Sequence, residues 1–143
     1  MNPALKNLEI FVGKWDIELS NADFLPDKNA KAHISASFEW VEDGAYLLAC
    51  QGPRKAPQAR WLVGRDDATG QYKVLYFDSR GVSRVYEMSL KNKVWKMWRD
   101  APDLPQLFRG VFKNRDTIIA EWKTAKDGKR LKHDFDMKYT RIK

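Results

Sequence analysis

Ten short segments in which apolar and polar residues alternate dominate this 143-residue sequence. Alternation with a period of two is typical of β-strands that bury one face. Most of the segments are separated by a few residues rich in Asp, Asn, Lys and Gly, which are typical of β-hairpin turns. The predicted strands are a first strand that begins at Trp15, followed by 30–41, 44–51, 59–65, 71–78, 82–90, 93–99, 106–112, 117–124 and 130–142.

A sheet of consecutive antiparallel strands must either expose two edges or close on itself. Closure satisfies the hydrogen bonds of both edge strands at once, and a barrel is therefore favoured. About ten strands enclose a wider interior than eight, so a ligand-sized cavity is expected. We predict an all-β fold, a closed antiparallel up-and-down β-barrel of about ten strands, formed by a single domain over residues 1–143.

The first dozen residues are the exception to the strand pattern. Asn2 is a good helix-capping residue, Pro3 suits the first helical position, and Leu5 and Leu8 lie one helical turn apart. The sequence therefore predicts one short N-terminal helix that ends before Gly13.

Three longer connections interrupt the succession of hairpins. Residues 21–30 have the Pro, Asp and Asn content of a loop, and Phe24 and Leu25 within it are predicted to fold over an opening as a lid. The segments 52–58 and 100–105 each hold two prolines and are predicted to be irregular loops at the barrel rim.

The charge pattern bears on partners and location. The net charge is +7, but the basic residues are scattered among 19 acidic ones, and the one dense stretch, 126–133, is predicted to be a solvated hairpin tip. No segment has the apolar length of a membrane span, and the N-terminus lacks the regions of a signal peptide. We predict a cytoplasmic monomer or homodimer that binds neither nucleic acid nor membrane.

Motifs of known catalytic chemistry are absent from the sequence. Cys50 is the single cysteine, and with two histidines it makes no recognised zinc spacing. There is no nucleophile elbow, phosphate loop, dinucleotide fingerprint or paired-histidine metal motif. We therefore predict no catalytic residue and no metal, and an enzyme that uses His133, Tyr76 and Arg84 in the cavity is kept as an alternative.

Strand alternation selects the residues that face the cavity. A ligand pocket is mostly apolar with a few convergent polar groups, so polar residues that share a face with apolar ones are the candidates. In 71–78 the inward face is ambiguous, and the face with Tyr76 is favoured. The predicted ligand-binding residues are Tyr76, Arg84, Tyr86, Met88, Trp98, His133, Phe135 and Met137.

Arg84 indicates the chemistry of the ligand. A guanidinium inside a barrel is costly without an anion, which would be either the acidic head of a ligand or an internal acid such as Asp78. The predicted partner is a small hydrophobic molecule with an acidic or hydrogen-bonding head, placed near Arg84 and Tyr86. For His133, a satisfied core histidine and a polar group of the pocket are both compatible with the pattern.

Two short motifs resemble the lipocalin-like calycins. Gly13-Lys14-Trp15 is similar to the Gly-x-Trp signature that opens the first strand of those barrels, and Arg141 ends the last strand as a basic residue does there. The resemblance implies that the Arg141 guanidinium packs over the Trp15 ring and closes the barrel base next to Gly13. The whole chain resembles the DUF1579-like group of bacterial proteins of unknown function, on Phe38-Glu39-Trp40, Trp61-Leu62-Val63-Gly64-Arg65-Asp66, Tyr76-Phe77-Asp78-Ser79-Arg80-Gly81, Trp98-Arg99-Asp100 and His133-Asp134-Phe135-Asp136.

A more distant resemblance is to nitrobindin and to fatty-acid-binding-protein-like barrels. Nitrobindin holds heme b through a histidine on a late strand, and His133 precedes Arg141 by about the matching distance. The first strand, Gly-Lys-Trp-Asp-Ile-Glu-Leu, lacks the glycines of the nitrobindin motif. No cofactor is predicted, and heme b bound by His133 is the alternative that this resemblance implies.

Overall fold

A computed structural model describes residues 2–52, 58–102 and 104–143 of the chain. They form a closed barrel of ten antiparallel strands, in which each strand pairs with its sequence neighbours and the last strand pairs with the first. The elements are a 3-10 helix Pro3–Phe11 and the strands β1 Gly13–Ser20, β2 Lys31–Val41, β3 Tyr46–Gln51, β4 Ala59–Arg65, β5 Tyr72–Asp78, β6 Ser83–Lys91, β7 Val94–Arg99, β8 Gln106–Asn114, β9 Thr117–Thr124 and β10 Lys132–Ile142.

This architecture confirms the predicted all-β closed barrel with one short N-terminal helix. Each strand begins and ends within two residues of its predicted bounds. The predicted rim loop 52–58 lies largely outside the described residues, and so does one position of the loop 100–105. Within the part of the chain that the structure describes, no helix has the length and apolar character of a transmembrane span.

The helix closes one end of the barrel. Asn2 caps it by accepting a hydrogen bond from the backbone nitrogen of Ala4 at 3.0 Å. The helix buries Leu5, Leu8 and Phe11 against the strand ends. The end of the barrel that the helix covers is therefore closed, and we call it the base.

Trp15 and Arg141 seal the seam between β1 and β10. The Trp15 ring is fully buried, and its indole nitrogen donates to the Phe11 carbonyl oxygen at 2.8 Å. The Arg141 guanidinium carbon lies 4.2 Å from the centroid of the Trp15 ring. The same guanidinium donates to the carbonyl oxygens of Val12 at 2.5 Å and Ile10 at 2.6 Å. The Arg141 side chain, on the last strand, therefore stabilises the junction between the helix and the first strand.

Gly13 makes room for this arrangement. Its φ angle is +132°, and a Cβ atom placed there would lie 2.8 Å from Nη1 of Arg141. Any larger residue would push the guanidinium away and strain the backbone. The close approach of Arg141 thus explains why the Gly-x-Trp motif has glycine at this position.

Replacement of Trp15 by Ala should lower the unfolding free energy by about 3–5 kcal/mol, because it empties a fully buried site and removes the ring under Arg141. Denaturant unfolding measures this loss directly. Trp98→Ala is the matched control, since Trp98 is half-exposed on the outer surface and should cost clearly less. A loss below about 1 kcal/mol for Trp15→Ala would contradict a closing role for this ring.

Candidate functional site

A cavity of about 400 Å³ occupies the half of the barrel that lies away from the helix. Its size falls within the range of about 300–1,000 Å³ that is usual for small-molecule sites. Most of its wall is aromatic or aliphatic, contributed by inward residues of five different strands: Trp61, Val74, Met97, Trp122, Phe135 and Met137.

Three polar side chains converge on one wall of this cavity. The Tyr86 hydroxyl donates to Oε1 of Gln106 at 2.9 Å, and Nη1 of Arg84 donates to the same oxygen at 3.3 Å. All three residues line the cavity near the strand ends that lie opposite the helix. Arg84 and Tyr86 therefore occupy the predicted place, whereas Gln106 was not among the predicted residues.

Arg99 adds a second guanidinium next to this group. It lies directly opposite Gln106 in the ladder between β7 and β8, and its guanidinium carbon is 5.9 Å from the centroid of the Tyr86 ring. Its Nε and Nη1 atoms are buried and have no hydrogen-bond partner among the described residues. Within those residues neither Arg84 nor Arg99 forms an ion pair with a carboxylate.

Asp78, the internal acid considered as a partner of Arg84, is engaged elsewhere. Its carboxylate accepts from Nη2 of Arg80 at 2.6 Å and from the Tyr76 hydroxyl at 2.8 Å. The Arg80 hydrogen bond holds the pKa of Asp78 well below its usual range. Burial, and then the hydrogen bond to Asp78, raise the pKa of Tyr76 to about 12. This network fixes the β5–β6 hairpin at the cavity mouth, where Tyr76 lines the wall on the favoured face.

His133 does not point into the barrel, contrary to the prediction. Its ring is exposed, and its Nε2 atom lies 2.8 Å from Oδ1 of Asp136 on the outer surface. The ladder with β9 shifts register between His133 and Phe135, so a bulge breaks the alternation that was extrapolated along β10. Phe135 and Met137 line the cavity as predicted, and Asp134 lines its mouth instead of His133.

Two further predicted residues lie outside the cavity wall. Trp98 faces outward opposite Glu87, because the inward positions of β7 are Trp95 and Met97. Met88 is buried in the core but does not line the cavity. The sequence pattern predicts which face of a strand is buried, but it does not show which part of that face lines the cavity.

The loop between β1 and β2 reaches the cavity mouth, where a lid was predicted. Phe24 packs edge to face on Phe135, with ring centroids 5.3 Å apart, and both rings line the cavity. Phe24 nevertheless remains 60% exposed. It therefore narrows the opening from the solvent side.

The positions of the two histidines bear on whether the cavity could hold a heme through an imidazole ligand. His33 is exposed and lies with its Nδ1 atom 2.9 Å from Asp16, and His133 is likewise on the outer surface. An axial imidazole for a heme in the cavity is therefore not available from either residue, and the residues do not fit that group. The alternative enzyme constellation with His133 does not assemble in the cavity for the same reason.

A possible metal-ligand group occurs on the outer surface. Glu121, His133 and Asp136 bring ligand atoms within 4.8 Å of one another. His133 already makes a direct hydrogen bond to Asp136, and its side chain is 42% exposed. These are the features of a hydrogen-bonded pair on the surface, and we assign no metal to the group.

The fold and the cavity together define a class, the closed ten-strand antiparallel barrels with one interior site. The crystal structure of Rv2717c from M. tuberculosis is similar in fold to this chain, with a TM-score of 0.63 over 100% of this chain and 99% of that chain. The two sequences are 15% identical, so the similarity is one of fold. It is consistent with the predicted calycin-like barrel.

No family model matches the sequence. No curated protein matches it either. The resemblance to the DUF1579-like group stays a prediction.

A hemin titration tests the exclusion of His133 as an axial ligand. Because this ring lies outside the barrel, His133→Ala should leave the Soret absorbance of any hemin complex unchanged within error. Absorbance spectra of wild type and variant at equal hemin concentrations make the comparison. A saturable Soret band that disappears in His133→Ala would show that the ring reaches the iron.

The Tyr76 network predicts a pH effect in the alkaline range. A tyrosine whose folded pKa is raised adds stability that is complete below about pH 10 and is lost as the pH rises toward 12. Asp78→Ala should lower the pKa of Tyr76, because the hydrogen bond and charge of Asp78 both raise it. NMR of ring-labelled tyrosine follows this titration, with Asp16→Ala as the control, and an unchanged Tyr76 titration in Asp78→Ala would contradict the network.

Proposed function

We propose that the protein binds a small, largely apolar molecule with an acidic head in the barrel cavity. The observation that carries the proposal is the pair formed by Arg84 and Tyr86, which face the cavity and share one amide oxygen of Gln106. The head of the ligand would lie at this pair, and its body would lie along the aromatic and aliphatic wall.

The environment of Arg84 favours a ligand with an acidic head, because the present hydrogen-bond partner of Arg84 is a neutral acceptor. A partly buried guanidinium is poorly compensated by an amide oxygen at 3.3 Å. A carboxylate, sulfonate or phosphate oxygen in the same position would form charge-assisted hydrogen bonds, which are roughly twice as strong as neutral ones. The Gln106 oxygen thus marks the place where an oxygen of the ligand would accept the same two hydrogen bonds.

Arg99 strengthens this argument. Two of its nitrogen donors are buried without a partner in the described parts of the chain, and the side chain contacts the Tyr86 ring. Arg99 does not itself line the cavity, so a bound anion would compensate Arg84 directly and Arg99 at longer range. The electrostatic attraction would be strongest where water is excluded by the surrounding rings.

The cavity mouth has the charge that such a ligand requires. Lys126 lines it together with Arg84 and with Arg80, whose charge is offset by Asp78, and Asp134, the acidic residue of the lining, accepts a hydrogen bond from Thr124 at 2.9 Å. A positive mouth raises the local concentration of anions and speeds their capture.

Binding of a fluorescent aromatic acid, anilinonaphthalene sulfonate, tests the proposal. We expect saturable binding to the wild type and a loss of about 1.5–3 kcal/mol of affinity in Arg84→Met, the range for a hydrogen bond to a charged group. Arg60→Met is the matched control, because Arg60 is exposed on the outer surface of β4.

The competing hypothesis is that Arg84 has a structural role only. It predicts that the probe binds wild type and Arg84→Met equally, while the denaturation midpoint of the variant falls. Absence of saturable binding to the wild type would also count against the proposal.

A further inference from the structure

The acceptor position of the head site is already filled by a side chain of the protein. Oε1 of Gln106 accepts from the Tyr86 hydroxyl at 2.9 Å and from Nη1 of Arg84 at 3.3 Å, and all three side chains line the cavity. A ligand oxygen that accepts the same two hydrogen bonds needs the place that the amide oxygen now holds. The side chain of Gln106 must therefore move aside when a ligand head binds.

Only the amide oxygen of Gln106 holds its side chain in place. Within the part of the chain that the structure describes, the two hydrogen bonds at Oε1 are the side-chain hydrogen bonds of Gln106, and its Nε2 atom has none. The backbone of Gln106 is fixed by pairing with Arg99 on β7 and with Thr124 on β9. A rotation of the side chain, which is a fast motion, therefore frees the head site without a change in strand pairing.

The exchange of one acceptor for another favours an anionic head over a neutral one. A neutral oxygen of a ligand would replace the neutral amide oxygen, and the two hydrogen bonds would gain little strength. A carboxylate or sulfonate oxygen would form charge-assisted hydrogen bonds, which are roughly twice as strong, and would place its charge beside Arg84. Displacement of Gln106 is therefore favourable for an acidic head and close to neutral for an uncharged one.

The absence of charge on Gln106 is essential to this exchange. A glutamate at the same position has nearly the same shape, but its carboxylate would form an ion pair with Arg84. The acceptor position would then be filled by an anion, and the acid of a ligand would gain nothing by displacing it. The neutral amide keeps the position occupied while the charge of Arg84 stays available to a ligand.

We propose that Gln106 is an internal competitor of the ligand head, which occupies the acceptor position in the ligand-free protein and is displaced by an anionic head. This inference rests on the proposed function, and it adds a specificity-determining residue to the head site. It has an unusual consequence for mutagenesis. Truncation of an ordinary contact residue weakens binding, whereas truncation of Gln106 removes the competitor and strengthens the binding of acids.

Two probes that differ only in the acid test this inference. Anilinonaphthalene sulfonate carries a sulfonate, and N-phenylnaphthylamine is the same ring system without it. In Gln106→Ala the sulfonate probe should bind about three- to tenfold more tightly than in wild type, the effect of removing one competing neutral hydrogen-bond acceptor. N-phenylnaphthylamine has no acidic head that competes with Gln106, so its affinity should not change.

Gln51 supplies the matched control, because it is the other glutamine that lines the cavity and forms no hydrogen bond to Arg84 within the described residues. Gln51→Ala should bind the sulfonate probe as wild type does. Gln106→Glu should weaken the sulfonate probe by at least about tenfold, because its carboxylate occupies Arg84. Gln51→Glu adds the same charge to the same cavity and should weaken the probe clearly less.

The gain in Gln106→Ala should depend on Arg84. In Arg84→Met the sulfonate has no guanidinium to bind, so the further change Gln106→Ala should alter the affinity much less than it does in wild type. A substitution that merely enlarged the cavity would give the same gain in both backgrounds. Fluorescence titration of the four proteins with the sulfonate probe makes this comparison, even where N-phenylnaphthylamine binds too weakly to measure.

The outcomes separate this inference from the proposed function. If Arg84→Met weakens the sulfonate probe but Gln106→Ala does not strengthen it, Gln106 is not a competitor and the head site stands. An equal gain for both probes, or an equal gain in both Arg84 backgrounds, also overturns the inference. If the sulfonate probe binds wild type and Arg84→Met equally, or binds neither, the proposed function fails and this inference fails with it.

Discussion

The contact of Arg141 with the junction between the helix and β1 is the interaction on which the barrel depends. A sheet of ten strands closes only if its last strand meets its first, and this side chain secures that meeting through the carbonyl oxygens of Ile10 and Val12 and the ring of Trp15. The ring in turn holds the helix through the Phe11 carbonyl. The helix covers this end of the barrel, and the cavity lies in the half away from it.

The fold could be predicted from the sequence because its determinants are local. Segments such as 59–65 and 117–124 carry the alternation of half-buried strands, and the turns between strands carry Asp, Asn and Gly, so strand bounds follow from neighbouring residues. Closure followed from one global argument, the cost of unpaired edges. The 3-10 geometry of the helix had no comparable sequence pattern.

The site was predictable only where the alternation was unbroken. Arg84 and Tyr86 lie on a regular stretch of β6 and face the cavity, whereas the bulge in β10 turns His133 outward. Gln106 was not predicted as a site residue, because it is uncharged and is the first residue of β8. Neither its charge nor the alternation pattern therefore distinguished it. Only some buried residues, such as Trp61, line the cavity. Which ones do so depends on the three-dimensional packing of many strands and cannot be predicted from the sequence of any one strand.

The pairing of β1 with β10 has a consequence for synthesis of the protein. Partners such as Trp15 and Arg141 are separated by nearly the whole chain, so a ribosome must deliver the last strand before the seam can form. Until then the nascent chain presents two unpaired strand edges and an uncovered tryptophan-rich interior, which are the features that chaperones bind and that promote aggregation. Closure of the barrel is therefore expected to wait until β10 has been synthesised, and premature termination before β10 would yield an aggregation-prone product rather than a smaller barrel.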